Sequence, residues 1–129
     1  MLAVDTNIIV RFLTRDDEEQ FARAAVLIRD EEVYLCATVL LETEWVLRSV
    51  YRFAPSRIEK ALRAFLGLPR VTVEDPATIA LAMEWTTAGI DFADALHLAR
   101  TRHCEAFVSF DRQLAAASRQ AAGVMVRAP

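Results

Sequence analysis

The 129 residues are enough for one domain with a real hydrophobic core, and the expected organisation is a single domain over residues 1–129. Apolar residues make up 54 % of the chain, with 3 Gly and 4 Pro, which excludes a disordered chain and argues against an all-β, turn-rich fold. The net charge of −3 gives no basic excess that would by itself announce a nucleic-acid partner.

The hydrophobic pattern gives the elements in chain order. Residues 1–4 read as a buried strand, followed by a helix from Thr6 to about Leu13 that the polar segment 14–17 breaks. Residues 18–29 form a second helix, with Phe21, Ala24, Ala25 and Ile28 spaced i, i+3, i+4, i+7. Residues 33–36 are the second strand, and Thr38 caps a helix reaching about Tyr51. Pro55 and Ser56 open another helix that ends near Gly67, and residues 71–73 are the third strand. Asp75 followed by Pro76 reads as an N-cap with Pro at the first helical position, and that helix stops at Gly89. Asp91 or Phe92 begins a helix to about His103. Residues 106–109 are the fourth strand, 111–118 a short helix and 124–126 the fifth strand. Strands that are continuous apolar runs, alternating with helices, define a parallel sheet covered on both faces. In such sheets ligands bind beyond the carboxyl ends of the strands.

No apolar run reaches the ~18 residues of a membrane span. The start of the chain lacks the basic, apolar and small-residue regions of a signal peptide, so a cytoplasmic location is expected. Cys36 and Cys104 form no Cys-x-x-Cys pair and no zinc spacing, and are read as reduced, packed thiols.

Four acids interrupt the apolar pattern. Asp5 follows the first strand, Glu42 divides two apolar stretches of one helix, Asp94 lies within Phe92-Ala93-Asp94-Ala95-Leu96, and Asp111 follows the fourth strand. Carboxylates near a core need a partner or a metal. Lys60 is the only lysine, and four acids without matching lysines fit a divalent cation. Simpler roles exist as well. Asp5 and Asp111 can cap the helices they precede, and Asp91-Phe92-Ala93-Asp94 resembles a capping box. On a helical wheel Glu44, Arg48 and Arg52 fall together as a solvated face, with Glu44 and Arg48 as an i, i+4 pair. Glu42 then falls on the apolar face, where it requires an arginine or a metal. Thr6, Asn7 and Ser109 flank these acids and can bond carboxylates, metal-bound water or phosphate, or order the local turns. His97 is read as a packed histidine. Trp45, Phe53, Phe65 and Trp85 are read as core or dimer surface, because they are not interleaved with basic residues as base-stacking platforms are. With the four acids set aside, −3 becomes +1, so the acidic balance does not exclude a phosphate substrate.

In this order the residues resemble a PIN-domain ribonuclease, and within that family the VapC toxins of type II toxin–antitoxin pairs. The matching stretches are Val4-Asp5-Thr6-Asn7, Leu41-Glu42-Thr43-Glu44-Trp45-Val46-Leu47, Asp91-Phe92-Ala93-Asp94-Ala95-Leu96-His97 and Phe107-Val108-Ser109-Phe110-Asp111, which together span nearly the whole chain. The resemblance implies an α/β fold, a three-layer α/β/α domain around a central five-stranded parallel sheet. It implies Mg2+ or Mn2+ at Asp5, Glu42, Asp94 and Asp111, which act in catalysis, with Asn7, Thr6 and Ser109 in support and Asp91 more peripheral. It also implies cleavage of RNA to 5′-phosphate and 3′-hydroxyl ends, a homodimer, and an inhibitory antitoxin that forms a heteromeric complex with the toxin. The apolar residues Trp45, Val50, Phe53 and Phe65 in 38–66 are expected to supply the dimer surface. No membrane partner is expected.

The chemistry agrees with that resemblance. Phosphodiester hydrolysis needs an activated water, a neutralised phosphate and a stabilised leaving oxygen, all of which a divalent ion supplies. Hard cations select carboxylate oxygens over Cys or His. Other Mg2+-dependent phosphotransfer classes fit less well. A receiver domain needs a lysine after a late strand, and a haloacid-type phosphatase needs Asp-x-Asp where this chain has Asp5-Thr6-Asn7. The non-enzymatic alternative is a PIN-like interaction module, against which the intact acids argue.

Overall fold

Turn chemistry and apolar spacing place the elements of the computed structural model, which describes residues 1–121 and 123–129. The chain forms two compact units, Met1–Glu74 and Asp75–Pro129.

The first unit contains β1 (Leu2–Ala3), α1 (Thr6–Thr14), α2 (Glu18–Asp30), β2 (Val33–Leu35), α3 (Ala37–Ser49), α4 (Pro55–Leu66) and β3 (Val71–Val73). Its strands pair in parallel in the order β1-β2-β3, with Leu2 opposite Val33 and Val33 opposite Val71. Helix α1 packs on α2 and α3, and α3 on α4. Ile9, Val33, Leu35, Leu40, Leu47 and Phe65 are fully buried between them, each contributing about 1.5–3 kcal/mol relative to exposure.

The second unit contains α5 (Pro76–Thr87), α6 (Phe92–Arg100), β4 (Phe107–Val108), α7 (Arg112–Ala121) and β5 (Val126–Arg127). Strand β4 pairs in parallel with β5. Helices α5 and α6 pack together and bury Ile79, Ala82, Trp85, Phe92, Ala95 and Leu98. The connection between them passes through Gly89 at φ 111°, a conformation open to glycine and strained for other residues. The five expected strands are present and every pairing is parallel; their hydrogen-bonded ladders are one of three strands and one of two.

Several local expectations are corrected. Thr38 does not cap α3. The N-cap is Cys36, which makes no side-chain capping bond, and the Glu74 carboxylate just after β3 accepts from the Ala37 N–H instead (3.2 Å). Helix α6 ends at Arg100 rather than at His103. The Thr101 N–H is shared between the carbonyls of His97 and Leu98, and its hydroxyl donates back to His97 (2.7 Å), which tightens and closes the last turn. The thiols are free but not packed away: Cys36 is half-buried and Cys104 is exposed. His97 is exposed rather than packed. Among the described residues no helix is long and apolar enough to cross a membrane.

Candidate active site

Asp5 leaves β1 in an extended conformation and becomes the N-cap of α1, accepting the Thr6 N–H at Oδ1 (2.8 Å). The buried Thr6 hydroxyl donates to Glu42 Oε1 on α3. One threonine therefore ties the first acid to the second, although they lie 37 positions apart. Asp5, Thr6, Asn7, Arg11, Glu42 and Tyr51 line an open cleft of about 350 Å3 in the first unit.

Glu42 reaches this cleft because it is exposed, not because it sits on the apolar face. The wheel reading of α3 is reversed. The buried stripe is Ala37, Leu40, Thr43, Glu44 and Leu47, and Glu44 is only 7 % exposed. Trp45, expected to be core or dimer surface, is 53 % exposed. Residue type misleads here because the two polar residues of the buried stripe are satisfied inside the helix. The Thr43 hydroxyl donates to the Val39 carbonyl (2.7 Å), and the Arg48 guanidinium forks onto both Glu44 oxygens (2.8 and 3.3 Å). The expected i, i+4 pair exists, with its acid turned inward.

In the second unit, Asp91 is the N-cap of α6 and accepts the Asp94 N–H (3.4 Å). Asp94 is half-buried one turn into the helix. Partial burial, followed by the charge of Asp91, pushes its carboxyl above the usual range; His97 opposes the shift and Asp111 adds to it. Asp111 caps α7, accepting the Leu114 N–H at Oδ1 (3.0 Å), while the Ser109 hydroxyl oxygen accepts the Asp111 N–H (3.0 Å). Ser109 thus orders the turn that presents Asp111. The capping roles of Asp5, Asp91 and Asp111 are real. Capping uses one oxygen of Asp5 and one of Asp111, and the second oxygen of each has no hydrogen-bond partner among the described residues.

Sequence reasoning missed the group beside the acid cleft. Arg11 donates from Nε to Gln20 Oε1 (2.7 Å), and from Nη1 to the Tyr51 hydroxyl (3.0 Å) and to Asp16 (3.2 Å). The Tyr51 hydroxyl donates to Asp16 (2.6 Å) and, more than the Arg11 charge, holds that carboxyl below its usual range. No local motif marks Tyr51, because its partners lie 35 and 40 positions away in sequence.

The donor set is carboxylate and hydroxyl, the chemistry of a hard divalent cation. Asp94 is lifted first by burial and then by the negative charge of Asp91, a stress that a cation relieves. Among the described residues no group of three or more His, Cys, Asp or Glu side chains is gathered closely enough to hold a metal ion. Asp5 and Glu42 belong to the first unit, and Asp94 and Asp111 to the second.

The PIN domain family model matches residues 2–120, and the chain belongs to that family. Among solved structures, one of VapBC2 from Rickettsia felis bound to a DNA fragment from their promoter is similar at 16 % identity. The match covers 96 % of this chain and 95 % of that one, with a TM-score of 0.40. No curated protein matches the chain.

Proposed function

We propose that the chain is a metal-dependent endoribonuclease, a single PIN domain over residues 1–129, acting as the toxin of a toxin–antitoxin pair in the cytoplasm. Asp5, Glu42, Asp94 and Asp111 are the catalytic carboxylates and hold Mg2+ or Mn2+, directly or through water. The ion supplies Lewis acidity toward the phosphate and a more acidic water. Thr6 orients Glu42, Asp91 and Ser109 set the approach of Asp94 and Asp111, and Asn7 faces the substrate from the acid cleft. The observation that carries this reading is the state of the cap carboxylates: Asp5 and Asp111 each keep one oxygen without a partner among the described residues, as a capping residue that is also a ligand requires. The toxin assignment rests on the ordered motif set and its resemblance to VapC toxins. The partners are an RNA substrate, an antitoxin whose tail covers the acids, and a second copy of the chain.

The dimer surface is narrower than the sequence implies. Trp45 and Val50 (61 % exposed) are available, Phe53 is half-buried, and Phe65 at 1 % belongs to the core. Cleavage of RNA in Mg2+ or Mn2+, its loss in chelator, and its loss in Asp5→Asn test the proposal. Metal at a hundredfold excess over its dissociation constant should also stabilise the wild type by ~2.7 kcal/mol, and less in each variant. Absence of both cleavage and thermal response to metal would return the chain to a non-catalytic PIN-like module.

A further inference from the structure

Two clefts adjoin in the first unit, and their charges are opposite. The acid cleft holds Asp5 and Glu42. A second cleft of about 360 Å3 is lined by Asn7, Ile8, Arg11, Gln20, Arg23 and Leu27 among others, with no acid in its lining. Asn7 and Arg11 line both. The sequence explains the arrangement: Asn7 and Arg11 are i, i+4 on α1, and Gln20, Arg23 and Leu27 are i, i+3, i+7 on α2, so each helix presents one face to the cleft.

The unspent groups of the second cleft are mainly donors. Arg11 uses Nε and Nη1 on Gln20, Tyr51 and Asp16, which leaves its Nη2 without a partner among the described residues. Gln20 spends its oxygen on Arg11, since a guanidinium can only donate, and its amide N–H2 therefore faces elsewhere. Arg23 makes no hydrogen bond or ion pair among the described residues and is exposed. The Arg11 fork is already held in place, so little side-chain entropy remains to be lost on binding. Such a cleft suits a ligand that is all acceptor and negatively charged.

We propose that Arg11, Gln20 and Arg23 form a subsite for a backbone phosphate of the RNA strand, next to the cleft where the strand is cut. The inference rests on the nuclease reading and extends it by naming how the strand is held. A phosphodiester chain lying in the acid cleft carries a phosphate on every nucleotide, and its neighbouring phosphate needs a cationic seat nearby. An acidic protein tail has no such obligatory spacing. Arg11 and Gln20 give geometry, and Arg23 gives charge.

The test measures binding apart from cleavage. A short fluorescent single-stranded RNA is titrated with the full chain carrying Asp5→Asn, in chelator, over a range of salt concentrations. Asn caps α1 about as well as Asp. Adding Arg23→Ala should weaken binding to all sequences alike and flatten the slope of log affinity against log salt by about 0.7. Arg23→Glu should weaken it further. Arg29→Ala, which removes an exposed arginine paired with Asp30 on the same helix, should leave affinity and slope as they were. If both Arg23 variants match the Arg29 control, the subsite is wrong, and this includes the case where they lose affinity only for an acidic protein partner. If the Asp5→Asn parent binds no RNA at all, the nuclease reading falls together with the subsite.

Discussion

In residues 1–74, Asp5 and Glu42 are met by donors: the Thr6 amide on one and the Thr6 hydroxyl on the other, at the wall of an open cleft. In residues 75–129, Asp94 is met by acids. It is half-buried, Asp91 is its cap partner, and Asp111 adds to the field that lifts its pKa. The same side-chain chemistry is therefore prepared in two ways. The first pair is oriented by hydrogen bonds from Thr6. In the second region Asp94 is held under desolvation and electrostatic stress that a proton or a cation relieves. In the proposed site the first arrangement would fix the direction of a ligand oxygen, and the second would favour a bound cation.

The largest expected effects treat both regions alike. Glu42→Gln and Asp94→Asn should each lower RNA cleavage on the order of 10²-fold or more, the loss that follows removal of one charge-stabilising group from a site. A variant of either acid with near wild-type turnover would remove its region from the chemistry. Thr6→Val acts on the first region only. It deletes the donor to Glu42 while keeping size and β-branching, and should lower cleavage by about 10- to 100-fold with the fold retained. Normal activity in Thr6→Val would mean that Glu42 needs no orientation.

Stability sharpens the contrast further. Arg48→Ala leaves the Glu44 carboxylate buried without its fork. About 2 kcal/mol should be lost in urea unfolding, less than for a fully buried pair because the Arg48 side chain is 43 % exposed. Wild-type stability in that variant would show that Glu44 finds water.

The smallest effects carry opposite signs in the two regions. The Asp94 carboxyl is raised in the folded state, so its contribution is present below the ordinary carboxylate range near ~4 and is lost as pH rises through the folded value. Asp94→Asn should raise the metal-free melting temperature at neutral pH, and this gain should vanish on acidification. Asp16, lowered first by the Tyr51 hydroxyl, contributes stability at neutral pH that is lost as pH falls through its depressed value. Asp16→Asn should therefore lower the melting temperature at neutral pH, with a cost that fades in acid. Parallel pH profiles for the two variants would erase the distinction drawn between the regions.

Much of this was legible in the sequence because it depends on neighbours along the chain. Caps at Asp5, Asp91 and Asp111, the stop at Gly89, the Pro55 and Pro76 helix starts and the parallel strands all follow from local turn chemistry and apolar spacing. The motif order alone gave the family that residues 2–120 match. The tertiary structure decided which face of α3 turns inward, because Glu44 is buried only where Arg48 can reach it and Thr43 only where its hydroxyl is returned to Val39. It also decided that the Glu74 carboxylate, just after β3, replaces Thr38 at the start of α3, and that Tyr51 locks Arg11 and Asp16 across 40 and 35 positions. Periodicity registers how apolar a position is. It carries no record of whether a polar group will find a partner from a distant part of the chain, and at these positions that partner sets both burial and charge.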